Sequence, residues 1–192
     1  MDTEEKIRLF VLSNSLAENH LDRVENELSI DLGRKEKEAV KEQEYYAQFD
    51  AVFRIEAKEM ARHYEVFYCL EKSIRNLIVQ IMKENYSDNW WELKVRDEIK
   101  KNVELNIKRE AESGFTERSE LKIDYTTFGE LTLIVQDNWE AFSSLFKNAK
   151  AFGKIMSSLN QLRGPIAHCC PLAEDEIVRL NLVVKDWFRL MD

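Results

Sequence analysis

The chain has 192 residues, 44% of them hydrophobic, enough to bury a core as one large domain or one domain with an appendage. Only five Gly and two Pro interrupt a sequence in which 33% of residues are charged, a composition that favours an almost wholly helical, all-α protein. The formal charge of −8 argues against a diffuse basic surface for nucleic acid and confines any RNA contact to a local site.

The N-terminus, Met1-Asp2-Thr3-Glu4-Glu5-Lys6, is acidic and polar, and no apolar run reaches the ~20 residues of a membrane span, so a cytoplasmic protein without membrane contact is expected. Three Cys, two of them adjacent at Cys169-Cys170, make no disulfide framework and suit a reducing compartment. Residues 1 to 32 carry a loose helical pattern through Phe10, Leu12, Leu16, Leu21, Val24 and Leu28, one helix or a broken pair ending near a C-cap-like Gly33. The mixed-sign run Arg34-Lys35-Glu36-Lys37-Glu38 reads as a solvated helical face. Residues 1–45 are therefore expected to form an N-terminal helical extension and residues 46–192 the main helical domain.

From Tyr46 to Met82 the apolar residues Tyr46, Phe49, Phe53, Ala57, Met60, Tyr64, Phe67, Ile74, Ile78 and Ile81 recur at spacings of three and four, which predicts one long helix with a continuous apolar stripe. Glu71 falls where the period calls for an apolar side chain, and Arg75 follows one turn later. Two readings stay open: an ion pair at the stripe edge, or an inward Glu71 that orients a functional cation. A polar break at residues 83–89 is closed by Trp90-Trp91, which plugs a corner of a helical core more readily than it stacks on bases. Further on, the sequence predicts a helix over Glu92 to Ala111, a loop over residues 112–120, and a capping box with Thr127 as N-cap and Glu130 reaching back. That box opens a helix through Leu131, Ile134 and Val135, and Trp139, Phe142 and Phe146 continue its pattern. The last two stripes are Phe152, Ile155, Leu159 and Leu162, then Ile177, Leu180, Val184, Trp187 and Met191.

Where the first of these two stripes ends, Arg163 follows Leu162, and His168 comes five positions later, beyond Gly164 and Pro165. A guanidinium is a permanent forked cation suited to phosphate, and an imidazole exchanges protons near neutral pH. On residue chemistry alone the pair also fits a surface Arg and a capping His. Pro165 is expected to disturb the helix, freeing His168 from the angle a continuous helix would impose. The run His168-Cys169-Cys170 lacks the spaced partners of a zinc site, and no phosphate-binding or nucleophile-elbow motif is present, so neither metal nor cofactor is expected.

The segment Leu159-Asn160-Gln161-Leu162-Arg163-Gly164-Pro165-Ile166-Ala167-His168 resembles the R-x(4–6)-H motif of the HEPN superfamily of helical ribonucleases and of RNA- or nucleotide-binding domains. The segments Leu70 to Ile78, Trp90-Trp91, Ile123 to Leu131 and Asn138 to Phe142 are similar to the HEPN subgroup also found fused to PIN-domain endonucleases of transcript quality control. The resemblance runs in order over roughly residues 60 to 192. It implies an all-α, HEPN-like helical bundle that forms a homodimer with a composite site, and a metal-independent endoribonuclease in which the 2′-hydroxyl of single-stranded or loop RNA attacks the adjacent phosphate. In that reading His168 is the general acid/base, Arg163 holds the phosphate, and Glu71 and Arg75 occupy the subgroup's acidic and basic positions as supporting residues. Similar stand-alone bacterial proteins act in toxin–antitoxin and phage-defence systems, which implies a cognate antitoxin or defence partner. Gly164 departs from the polar residue usual after the motif Arg, and this keeps a non-cleaving RNA- or nucleotide-binding module, or a helical dimerisation protein, as the alternatives.

Overall fold

The computed structural model describes residues 45–191 and, before them, scattered positions between Phe10 and Leu28. The chain divides into two compact units, Met1–Asp50 and Ala51–Asp192. In the first unit the described positions from Phe10 to Leu28 are helical, with Phe10, Leu21 and Leu28 exposed, and a 3-10 turn, Tyr46–Gln48, sets the Tyr46 and Phe49 rings edge-on. Leu12, Leu16, Gly33 and the charged run 34–38 lie outside the described residues.

The second unit is built of helices α1 (Ala51–Tyr86), α2 (Trp90–Lys94), α3 (Asp97–Glu112), α4 (Phe128–Asp137), α5 (Trp139–Phe142), α6 (Ala149–Ala167) and α7 (Glu174–Met191), with a 3-10 turn over Lys122–Tyr125 before α4. No strand occurs among the described residues, and the fold is an all-α helical bundle. The long helix starts five residues later than its stripe suggests, and its stripe divides into two halves. Phe67, Leu70, Ile74, Ile78 and Met82 are buried against α4, α5 and α6, whereas Phe53, Ala57 and Tyr64 are exposed. Periodicity specifies which residues share a helix face; only the helices packed against that face decide which of them lose water.

The single helix expected over Glu92 to Ala111 is broken. Val95 and Arg96 adopt extended ψ values of 138° and 144°, so that Val95 is buried while Arg96 clamps Asp137 at the end of α4 with both Nε and Nη2. Asp97 and Glu98 then sit in the first turn of α3, where carboxylates favour the positive end of the helix dipole. Trp90 and Trp91 are buried edge to face with ring centroids 5.5 Å apart, the core plug expected of them. The capping box forms in full: the Glu130 N–H donates to Thr127 Oγ1 at 3.3 Å and the Thr127 N–H donates to Glu130 Oε2 at 2.7 Å.

The helical pattern past Asp137 is interrupted at buried Asn138, whose Nδ2 donates to the carbonyls of Ile134 and Lys94 at 2.8 and 3.2 Å and ends α4. Trp139 from α5, Phe146, Phe152 from α6 and Trp187 from α7 then make a continuous aromatic cluster with ring separations of 5.0–6.3 Å. Each such ring contributes on the order of 2 kcal/mol by leaving water, which fixes α6 against α7 and α5. In α7 the buried terminal residue is Leu190, while Met191 is half-buried. The outcome that matters for function is placement: α6 lies along α1, so a residue leaving the α6 stripe can reach the middle of the long helix.

Candidate functional site

Three of the four sequence-selected residues meet at that crossing. Both oxygens of Glu71 on α1 are engaged: Oε1 accepts from Arg75 Nη2 at 2.5 Å, and Oε2 accepts from Arg163 Nε at 3.2 Å across the α1–α6 interface. The ion pair within α1 is present, and the same carboxylate also holds an arginine from another helix. With only 17% of its side chain exposed, Glu71 is a carboxylate taken largely out of water, a placement tolerable when several charge-assisted hydrogen bonds offset desolvation.

Arg75 anchors this arrangement. Its side chain is 9% exposed; Nη1 donates to Thr126 Oγ1 at 2.9 Å and to the Ile123 carbonyl, while Nη2 also donates to the Thr126 carbonyl at 2.9 Å. These acceptors belong to the 3-10 turn over Lys122–Tyr125 and its cap, so Arg75 staples that turn to α1 and leaves Glu71 a fixed base from which to reach outward. The sequence pointed to Glu71 and Arg75 but gave no sign of Ile123 and Thr126 as their partners, because those contacts span about fifty residues and go largely to backbone carbonyls.

Arg163 is the exposed member, with 41% of its side chain in solvent and no described residue on its Nη groups. It lines a cleft of about 210 Å³ together with Glu71, Lys72, Arg75, Tyr64, Phe67, Tyr68, Ile166 and Ala167. Three cations against one carboxylate give this cleft a local positive charge on a protein whose net charge is −8. The sequence placed Tyr64 in the apolar stripe and did not single out Tyr68 or Lys72; their signal as one group is the i, i+4, i+8 spacing that puts them beside the Glu71–Arg75 face.

Pro165 does not break α6. The helix runs through it to Ala167, and the carbonyl of Gln161, which loses its helical donor to the proline ring, belongs to an exposed residue. The disturbance comes one turn later. The His168 N–H donates to the Gly164 and Pro165 carbonyls at 3.1 and 3.2 Å, Cys169 takes a left-handed φ of 56°, and the Cys170 N–H returns to the Pro165 carbonyl at 2.9 Å. This is a Schellman-type helix end built on a cysteine where glycine is the usual residue, at a conformational cost of about 1 kcal/mol.

Five residues of helix separate Arg163 from His168, or about 140° around the axis. His168 is exposed and does not line the Arg163 cleft, which ends at Ile166 and Ala167. The chain thus brings Glu71, Arg75 and Arg163 together and leaves His168 outside the cleft. Among the described residues no cluster of three or more His, Cys, Asp or Glu side chains is spaced to hold a metal ion, and no helix is long and apolar enough to cross a membrane.

No curated protein and no solved structure matches the chain. The model of the Swt1-like HEPN family matches it over residues 65–192, a span that includes the Glu71–Arg75 pair, the Trp pair, the Thr127–Glu130 box and the Arg163 to His168 segment. With the bundle and the arginine-bearing cleft in place, the chain belongs to the Swt1-like HEPN family, whose helical domains have RNA-related, nuclease-like roles.

Proposed function

We propose that the protein is an endoribonuclease that cleaves single-stranded or loop RNA by transesterification. The observation that carries this reading is the Arg75–Glu71–Arg163 chain: a buried staple holds a carboxylate, and the carboxylate holds the motif guanidinium by Nε alone at a positive cleft. A guanidinium so held keeps both Nη groups for the two non-bridging oxygens of a phosphate, where negative charge builds as the phosphorus becomes five-coordinate. His168 removes the proton from the 2′-hydroxyl, the 2′-oxygen bonds to phosphorus, and the bond to the 5′-oxygen breaks. That oxygen leaves with a proton from a protonated imidazole, so the products are a 2′,3′-cyclic phosphate and a 5′-hydroxyl.

Because Arg163 and His168 lie on different sides of the α6 end, the reaction calls for two protomers whose motifs face each other, and the active species is a homodimer. The cell compartment is the cytoplasm, in keeping with the free thiols of Cys69, Cys169 and Cys170, and the activity is that of a toxin or phage-defence effector restrained by a partner protein.

The experiment is an RNA cleavage assay with and without EDTA, with light scattering on the same samples. The wild type is expected to cut unstructured RNA in EDTA, to leave DNA of the same sequence and duplex RNA intact, and to give cyclic phosphate ends. Arg163→Ala and His168→Ala should each lower the rate by roughly 10²- to 10⁴-fold while the dimer persists. A strictly monomeric protein, or one that leaves a broad panel of RNAs whole, overturns the reading. Gly164 favours one second reading: the position after Arg163 offers no side chain to the phosphate, so a protein that binds RNA without cutting it would be a non-cleaving HEPN module.

A further inference from the structure

The cleft beside Arg163 has a second face that phosphate chemistry does not use. Tyr64 and Tyr68 stand one turn apart on α1 with ring centroids 6.0 Å apart and planes inclined by 37°, and both are more than half exposed, at 58% and 54%. Two neighbouring tyrosines held in solvent on a helix lose nothing by being covered, and they are not there to fill the core: the buried seam of α1 passes beside them through Phe67. Lys72 continues the same face one turn on, and Ile166 closes the opposite wall from α6. The volume of about 210 Å³ suits one flat ring system rather than a duplex.

We propose that Tyr64 and Tyr68 form a stacking platform for one unstacked nucleobase of single-stranded RNA, the nucleotide adjoining the phosphate held by Arg163, with Lys72 on the next phosphate along the strand. The inference rests on the RNA-cleaving reading of this cleft and gives it a determinant for unpaired substrate. A base offers a π-face whatever its identity, so the platform selects single strands over duplexes, whose bases are already stacked, without reading sequence. The phenol hydroxyls are not required for stacking, which separates this role from one in proton transfer. The tyrosines are positioning residues; they hold the substrate and take no part in the exchange of protons at phosphorus.

The test uses the full chain carrying His168→Ala, so that RNA persists, and a short unstructured oligoribonucleotide with one 2-aminopurine. Binding is expected to change the 2-aminopurine emission as the base stacks, and the double replacement Tyr64→Leu/Tyr68→Leu should abolish that change and raise Kd by about fivefold to a hundredfold. The double Tyr→Phe variant should keep both the signal and the affinity. In an otherwise wild-type chain the same leucine variant should raise KM with little change in kcat. Unaltered emission and affinity in the leucine variant overturn the platform, and so does a change in its oligomeric state by light scattering, which would give the tyrosines to a protein interface. Cleavage by the wild-type chain, run alongside, keeps the two readings apart: cutting with tyrosine-independent binding removes the platform alone, tyrosine-dependent binding without cutting removes the nuclease alone, and absence of binding removes both.

Discussion

Glu71 has an arginine on each carboxylate oxygen, and the two arginines differ in everything except charge. Arg75 donates to Glu71, Thr126 and Ile123 and is nearly sealed from solvent; Arg163, among the described residues, donates by Nε alone and is two-fifths exposed. A buried guanidinium whose two Nη groups are both engaged by protein has no outer fork left for a ligand and serves the fold, whereas one held by Nε has its outer fork clear of the described residues. The same side chain is thus structural on one side of the carboxylate and available for chemistry on the other, and the partner count, not the residue type, tells them apart.

The sharpest way to break this comparison is at the buried end. Arg75→Met deletes the staple, leaves Glu71 with Arg163 alone and strands the Ile123 and Thr126 acceptors in a site that water scarcely reaches, so a loss of about 3–5 kcal/mol is expected in urea or thermal unfolding. Arg163→Met, removing a cation already in solvent, should change stability by less than about 1 kcal/mol. Equal losses in the two variants would show that Arg75 is no more structural than Arg163. Arg75→Lys should recover only part of the loss, since an ammonium cannot span Glu71 and the turn with a planar fork.

How much of this could be read in advance follows from the same contrast. Stripes, caps and the motif are local patterns, so the helices through Ile74, Leu131, Leu159 and Leu180, the Thr127–Glu130 box and the meeting of Glu71 with Arg75 one turn on were legible in the sequence. The break at Val95 and Arg96 was not, because Arg96 answers to Asp137 some forty residues away. Nor was the unburied half of the α1 stripe, since nothing in the order of Phe53, Ala57 and Tyr64 tells which face meets a neighbour. At the site, sequence selected Arg163 and His168 by type, but their separation around an unbroken α6 and the Nε bond from Arg163 to Glu71 are properties of the packed helices.

A smaller effect is expected at the shared carboxylate. Glu71→Gln keeps the shape and replaces two charge-assisted acceptors with one neutral oxygen and one amide that cannot accept, so it should cost about 1.5–3 kcal/mol, most of it at the Arg75 end. If Glu71 also orients Arg163, RNA cleavage per folded molecule should fall by roughly tenfold, the equivalent of one such hydrogen bond in the transition state. Melting curves give the first quantity and cleavage rates well below the variant's midpoint give the second. A destabilised protein with undiminished activity would confine Glu71 to the buried end and leave Arg163 without an orienting partner.

The finest distinction lies at Gly164, next to the exposed arginine. A Cβ added there meets nothing within 4 Å, and the residue lies inside α6, so no steric or conformational requirement for glycine is visible at this position. Gly164→Ala should therefore stabilise the protein by about 0.5–1 kcal/mol through the lost flexibility of the unfolded chain. Gly164→Asn should stabilise it less, because asparagine is itself a weak helix former, but it places an amide beside the fork of Arg163. Alanine measures the backbone contribution alone, and the difference between the two variants isolates the polar group. Faster cleavage in Gly164→Asn but not in Gly164→Ala would show that the exposed arginine lacks a companion in the natural sequence. Equal rates in all three proteins would show that the guanidinium held by Glu71 is sufficient on that side of the phosphate.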